Sequence, residues 1–530
     1  MAFSLSELPA GPHLIAPYKA VQSGVDFLNL RQVNFDFMGD CMPGTNNVTF
    51  YVRPYSVLCW IYWTVQQQIE SGQIKRITVD ELKLFREKVE SLQLWGHRIH
   101  DIRGLPGMST DMPESVDGVR SLTFADWGGR KAANTSLQAA VQYGPSVLDI
   151  GGLGFLHKNE EGQYCVTSQG AALASALDEQ LRKAPDAYEM LTDVKRLSAH
   201  ESEVLALFEH WRLDQASPKE CEVFQAALWN RETMDQESGM GKRSATIQLI
   251  LEMLNASDDP LSEQVIRERM AFPRLWGRTP ESLGKGSYRQ SRIWVLLQFR
   301  QLHRLALEAL MGWMQCRLND AVPMSDPDNI VDCAHQALID SLGIDQSAST
   351  VEAVRAAGPL FDSLDNYLEA RSKEPERFDL KALSDNLIEH SSQNAPELCP
   401  KALQALILLY NCRSWMDADE VIQSRLDHGS TARVSLGYCF TTMDRLEAQP
   451  AREFVAWVIK SLIICQHFAT GTNRFDGERI RLRFILDEDG IESLGGHVWH
   501  PNVTPDRLAT LLSLMASCGL VQSSEEGFCI

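Results

Sequence analysis

Hydrophobic positions alternate at strand period in one short stretch of the chain. Leu153 and Phe155, then Tyr164 and Val166, are separated by smaller or polar residues, and His157-Lys158-Asn159-Glu160-Glu161-Gly162 forms a polar link between them. The pattern predicts a hairpin. A helical period follows at once: Thr167 or Ser168 can cap a segment whose Ala171, Leu173, Ala174, Leu177 and Leu181 share one side. Upstream, Asn46 to Ile69 is rich in aromatics (Tyr51, Tyr55, Trp60, Tyr62, Trp63) and apolar all round, which predicts a buried helix with Pro54 near its first turn or at a kink. Thr78 with Glu81 three residues on predicts a capped helix through Leu82, Phe85, Val89 and Leu92. Gly104 to Gly118 reads as a loop. From about Asp186 to Asp427 the period is helical, cut by Asp258-Asp259-Pro260, Thr279-Pro280, Pro323 to Pro327 and Ala395-Pro396, without the fixed repeat of a solenoid. Towards the end Arg481 to Leu486 alternates like a strand, Asp487 to Gly490 signals a turn, Thr504-Pro505-Asp506 opens a helix through Leu508, Leu511, Leu512 and Met515, and Phe528-Cys529-Ile530 supplies a last hairpin.

These elements predict a mainly α protein, a helical bundle or array with small α+β units near its N-terminal third and at its C-terminus. Helix, short hairpin with a polar tip, and closing helix resemble the winged-helix family, which binds DNA or mediates protein contacts; Ser136–Gln142 is then the candidate recognition helix. The expected division is an N-terminal helical region over 1–118, a winged-helix-like unit over 119–185, a helical middle over 186–427 and an α+β, winged-helix-like end over 428–530.

Composition narrows the function. A chain of 530 residues with 44% apolar and 23% charged residues can bury a large core, and its net charge of −20 argues against a surface that wraps nucleic acid throughout. Any nucleic-acid site must be local. Met1 to Glu7 has no basic region followed by an apolar run, so no secretory signal is expected. The apolar run Tyr55 to Val65 falls short of the ~20 residues of a membrane span, and Lys460 interrupts that at Phe454–Cys465. Twelve cysteines without a Cys-x-x-Cys pair fit reduced thiols. The expectation is a soluble, cytoplasmic protein without membrane, metal or cofactor.

Candidate chemistry is sparse. His97-x-x-His100 and His497-x-x-His500 have metal-like spacing but no nearby cysteine, and read as solvated or capping histidines. Gly239-Met240-Gly241-Lys242-Arg243-Ser244 lacks the first glycine and the Lys-Ser/Thr of a phosphate loop, and reads as a polar turn between helices. Asp476-Gly477-Glu478 and Asp487–Asp489 lack the lysine that would orient a nuclease's water, and read as exposed turns. No catalytic constellation is found.

Charge supplies the main anomaly. Between Arg267 and Arg304 nine basic residues (Arg267, Arg269, Arg274, Arg278, Lys285, Arg289, Arg292, Arg300, Arg304) face two acidic ones, Glu268 and Glu281. Phe272, Trp276, Tyr288, Trp294 and Phe299 are interleaved, as base stacking would require. At ~100° per residue Arg289, Arg292, Arg300 and Arg304 fall within an arc of about 120°, apart from an apolar stripe of Val295, Phe299, Leu302, Ala306, Leu310 and Trp313. Such a row suits phosphate, which Arg binds bidentately. The competing reading pairs these arginines internally with the surplus carboxylates. Arg130, Lys131 and Lys158 complete the candidate set.

Taken together, the helix with Arg53-Pro54-Tyr55, the Gly-Leu-Gly-Phe-Leu…Tyr-x-Val-Thr-x-x-Gly wing, the helical middle and the Thr-Pro-Asp-Arg-Leu helix resemble uncharacterised accessory proteins of bacterial anti-phage defence islands. The resemblance implies a subunit of a multi-protein defence system and carries over no catalytic residue. The leading expectation is a non-catalytic, DNA-associated adaptor that touches duplex phosphates and holds a partner such as a helicase or nuclease. The alternatives are a protein-binding scaffold with kleisin-like winged-helix docking surfaces and no DNA contact, and a cryptic nuclease.

Overall fold

A computed structural model describes residues 19–20, 26–279, 282–320, 324–429, 433–475, 479–487, 490–495 and 497–530. The chain is mainly helical, 59% helix against 6% strand, and the described strands form four two-stranded pairs and one three-stranded sheet. It packs as two compact units, each discontinuous in sequence: the larger holds Phe35–Val295 and Pro505–Ile530, the smaller Met1–Asn34 and Leu296–Thr504. Residues 35–185 therefore share one unit, while segment 1–118 is divided after Asn34, 186–427 after Val295 and 428–530 after Thr504. The strand Val119–Ser121 pairs antiparallel with Ser198–His200, which ties the two sides of residue 185 together.

In the larger unit the aromatic helix spans Arg53–Glu70 and buries almost every residue from Arg53 to Val65, with Pro54 in the first turn where its missing N–H costs nothing. Tyr55 is its hub. The ring meets Tyr143 edge-on at 5.1 Å, Phe224 at 5.1 Å and Phe155 at 5.9 Å, and its hydroxyl donates to Ser146 Oγ at 2.9 Å. Thr78 caps the helix Val79–Ile99 in a reciprocal box with Glu81, as its spacing predicts. The hairpin joins Leu156–Lys158 to Tyr164–Val166, with Leu156 opposite Val166. Thr167 then caps the helix Ser168–Leu181 through Gly170 N–H. Gly170 is required there, because a Cβ would lie 2.0 Å from the Phe155 carbonyl oxygen.

Two sequence expectations fail locally. Ser136–Gln142 forms turns and no recognition helix. The buried Glu90 carboxylate accepts from Ser136 Oγ at 2.8 Å and Leu137 N–H at 3.0 Å, and the chain folds back so closely that a Cβ on Gly144 would meet the Gln138 carbonyl at 2.2 Å. Gly239 to Ser244 opens the helix Gly239–Asn255 instead of forming a turn, because the Ser238 hydroxyl caps Gly241 N–H at 3.1 Å. At the chain's end the helix is Leu508–Ser517, a little later than its Thr-Pro-Asp signal, and the hairpin pairs Gln522–Ser523 with Phe528–Cys529.

The smaller unit packs helices including Pro327–Leu342, Leu398–Asn411 and Leu436–Leu446. A three-stranded sheet sets Gly490–Ser493 between Met324–Ser325 and Phe484–Asp487, all antiparallel. Residues 476–478 and 488–489, read as exposed acidic turns, lie outside the described residues. Among those described, Ala451–Asn473 is the helical run long and apolar enough to cross a membrane; 61% of it is buried inside the fold. Its middle, Trp457–Cys465, is π-helical, with Lys460 paired to Asp328 at 2.8 Å.

Burial ranks the hairpin's aromatics. Phe155 is fully enclosed, whereas Tyr164 is half-buried, stacked on Tyr62 at 5.5 Å. Urea denaturation should show Phe155→Ala costing roughly 3–5 kcal/mol and Tyr164→Ala no more than about half of that. Equal losses would mean that the hairpin packs otherwise.

Candidate nucleic-acid interface

The helix Lys285–Asp320 carries the row of arginines predicted to meet phosphate. From Gly286 to Gln315 all its residues are buried except the half-buried Tyr288 and Gln298. Arg289, Arg292, Arg300 and Arg304 are 8%, 2%, 1% and 0% exposed, so the predicted arc does not face solvent. Each guanidinium has internal acceptors. In the larger unit Arg289 pairs with Glu237, and Arg292 donates to the Ala271 carbonyl at 3.3 Å and Ser291 Oγ at 3.0 Å. In the smaller unit Arg300 donates to the carbonyls of Val434 and, at 2.6 Å, Arg433. Arg304 pairs with Glu308 at 2.7 Å and donates to the Asn502 carbonyl. Burial pushes the Glu308 carboxyl up, and the nearby guanidinia of Arg304 and Arg31 oppose that. The placement is internal, as the alternative reading has it, with carboxylates at Arg289 and Arg304 and main-chain carbonyls at Arg292 and Arg300, because a guanidinium buried in low dielectric needs acceptors.

Two further candidates are also held internally. Arg130 is buried, 3.5 Å from Glu90 and 3.8 Å over the Phe124 ring. Arg267 joins Asp506 and Glu263 in an ion-pair group. What the set leaves accessible is a shorter segment. After the helix Glu263–Ala271 the chain makes a turn of 3-10 helix at Pro273–Trp276 and a left-handed Gly277. Arg274, Arg278 and Lys285 are exposed there and Arg269 is half-exposed; Glu268 is the one carboxylate of its described residues between 267 and 288. Trp276 is half-exposed, its indole N–H donating to the Arg269 carbonyl at 3.0 Å and its ring 5.8 Å beneath the Arg278 guanidinium. The ring is thus fixed by its edge while part of its surface stays open to a stacking partner. Lys131 and Lys158 are exposed elsewhere in the same unit, Lys158 with its ammonium 5.0 Å over the Tyr164 ring.

The histidine pairs do not converge on a metal: among the described residues no three His, Cys, Asp or Glu side chains gather as a site. His97 is buried, not solvated. Its Nδ1 faces the Gln93 carbonyl at 2.7 Å and must donate; its Nε2 faces Leu213 N–H at 2.8 Å and must accept. His467 in the smaller unit repeats the arrangement with the Phe27 carbonyl and Arg483 N–H. His100 stacks on Phe208, and His500 meets Ser391. Burial lowers His97 and His467 from 6.5 to about 4.

No protein-family model matches the chain, and no curated protein or solved structure matches it either.

Two outcomes follow from these burials. Arg304→Met leaves the Glu308 carboxylate enclosed with Arg31, at 3.5 Å, as its one remaining ion-pair partner among the described residues, and should cost roughly 3–5 kcal/mol; adding Glu308→Leu should recover most of that in urea titrations. The histidines bind protons more weakly when folded than when unfolded. Their stability contribution is therefore complete above about pH 6.5, falls as pH drops through the window, and is gone below about 4, roughly 3 kcal/mol for each ring. The difference in unfolding free energy between the parent and His97→Gln should narrow from pH 7.5 to 4.5. A constant difference would contradict a neutral, buried His97.

Proposed function

We propose that this protein is a non-catalytic, DNA-associated adaptor, its contact with duplex phosphates narrowed to the segment Arg269–Lys285. The observation that carries the reading is the clustering of exposed cations, Arg274, Arg278 and Lys285, around a half-exposed tryptophan in a chain of net charge −20. Such a segment attracts polyanions even in so acidic a protein, because a local field decides encounter where net charge does not. Lys158 on the wing adds a second cation beside an aromatic ring. The setting we propose, a subunit of a bacterial multi-protein anti-phage system with a helicase or nuclease as partner, rests on the sequence resemblance alone.

A second reading is a protein-binding scaffold with no DNA contact. The internal placement of Arg130, Arg289, Arg292, Arg300 and Arg304 favours it, since these five cations have no free face to offer a phosphate. Gel-shift titrations at several salt concentrations separate the two. Charge reversal at Arg274, Arg278 or Lys285 should weaken binding to duplexes of any sequence without lowering the melting temperature, each lost contact reducing the slope of log affinity against log salt by about one. Absence of duplex binding by the parent at low salt would select the scaffold.

A further inference from the structure

In the larger unit a cavity of about 390 Å³ holds a cation with no counterion among the described residues. Its walls are Thr45 to Val48, then Ala140, Val141 and Pro145, with Arg507 projecting from just before the last helix. Arg507 makes no side-chain hydrogen bond and no ion pair among the described residues, in a chain where acids outnumber bases by twenty. The other polar side chains are satisfied. Thr45 donates to the Met42 carbonyl, Asn46 uses both ends on Gln142 and Val48, and Ser146 sits between Tyr55 and Tyr143. Asn47 is the exception, its Oδ1 buried with no donor.

The backbone at Arg507 is unusual. Its φ of 66 lies in the left-handed region that glycine enters freely and an arginine enters at a cost. Strain of this kind, at a side chain that lines a cavity unpaired, is what a position held for a ligand looks like. The opposite wall is rigid: Arg243 donates to the Pro43 carbonyl at 2.7 Å, and a Cβ on Gly44 would meet the Gly152 carbonyl at 2.7 Å.

The lining selects the ligand. One guanidinium matches one planar carboxylate through two parallel hydrogen bonds. Val48 and Val141 are 37% and 58% exposed beside it, and no aromatic ring lines the cavity to stack a nucleobase. We infer that this cavity binds a small organic monocarboxylate, its carboxylate in the fork of Arg507 and its aliphatic body over Val48 and Val141. A volume of this size falls in the range of small-molecule sites. The site is independent of the DNA reading.

Calorimetric and thermal-shift titrations of the whole chain with hexanoate, 2-hydroxyhexanoate, acetate and inorganic phosphate test it. Both six-carbon acids should bind, and acetate more weakly as the valine contact is lost. Arg507→Gly should melt at or above the parent's temperature, because it relieves the backbone, yet lose affinity for hexanoate on the order of tenfold or more. Three results overturn the inference: no binding of either six-carbon acid by the parent, affinity unchanged in Arg507→Gly, or phosphate binding as tightly as hexanoate, which would mark a site that reads charge alone.

Discussion

Buried cations seated on the ends of helices are the interaction on which the larger unit depends. A helix leaves its last four carbonyls without partners and carries partial negative charge there, so an end that enters the interior needs a donor. Four such ends are met by a buried cation. Arg53 donates to the His210 carbonyl at 2.8 Å, in the last turn of Glu201–Trp211. Lys88 donates to Met190 in Pro185–Thr192 at 2.6 Å, Arg243 to Ala227 and Leu228 of Pro218–Leu228 at 2.8 Å, and Arg292 to Ala271 of Glu263–Ala271. Each joins segments distant in sequence. Burial pulls the Lys88 ammonium down to about 7, and Asp193 nearby opposes that.

This use of cations explains why a chain with fifty of them can be short of positive surface. The arginines that form the densest cluster in the sequence are largely committed to carbonyls and carboxylates inside the fold. The accessible remainder is decided by where the chain turns: past Ala271 the helix ends, the segment leaves the interior, and the same residue types become available to an external anion. Arg292 and Arg278 differ in what covers them, not in chemistry.

Local signals in the sequence were legible and long-range ones were not. The Thr78–Glu81 box, Pro54 in a first turn, the Leu156–Val166 hairpin and the Thr167 cap each depend on residues a few positions apart, and each forms as expected. Ser238 announced a helix start in the same way, but the glycines after it masked the signal. Periodicity places Arg289, Arg292, Arg300 and Arg304 on one arc but does not say whether that arc meets solvent or protein, since it fixes which side chains share a face and says nothing of the Glu237 or the Arg433–Val434 carbonyls that cover it. Ser136–Gln142 forms no helix because a buried carboxylate of the preceding helix, Glu90, pins it in turns. Arg507 in a left-handed conformation has no sequence signature at all.

The discontinuity of the larger unit bears on how the chain is made. Leu508–Ser517 packs beside Glu263–Ala271, Ser517 Oγ accepts from Val52 N–H at 3.1 Å, and Phe528 exchanges two main-chain hydrogen bonds with Leu261. On the ribosome these partners are separated by the whole of Leu296–Thr504, roughly 10–40 s of synthesis at about 5–20 residues per second. For that interval the seats of Leu511, Leu512 and Met515 stand uncovered on a nascent chain that is otherwise able to collapse. The larger unit can therefore close only after the chain of the smaller one has been made.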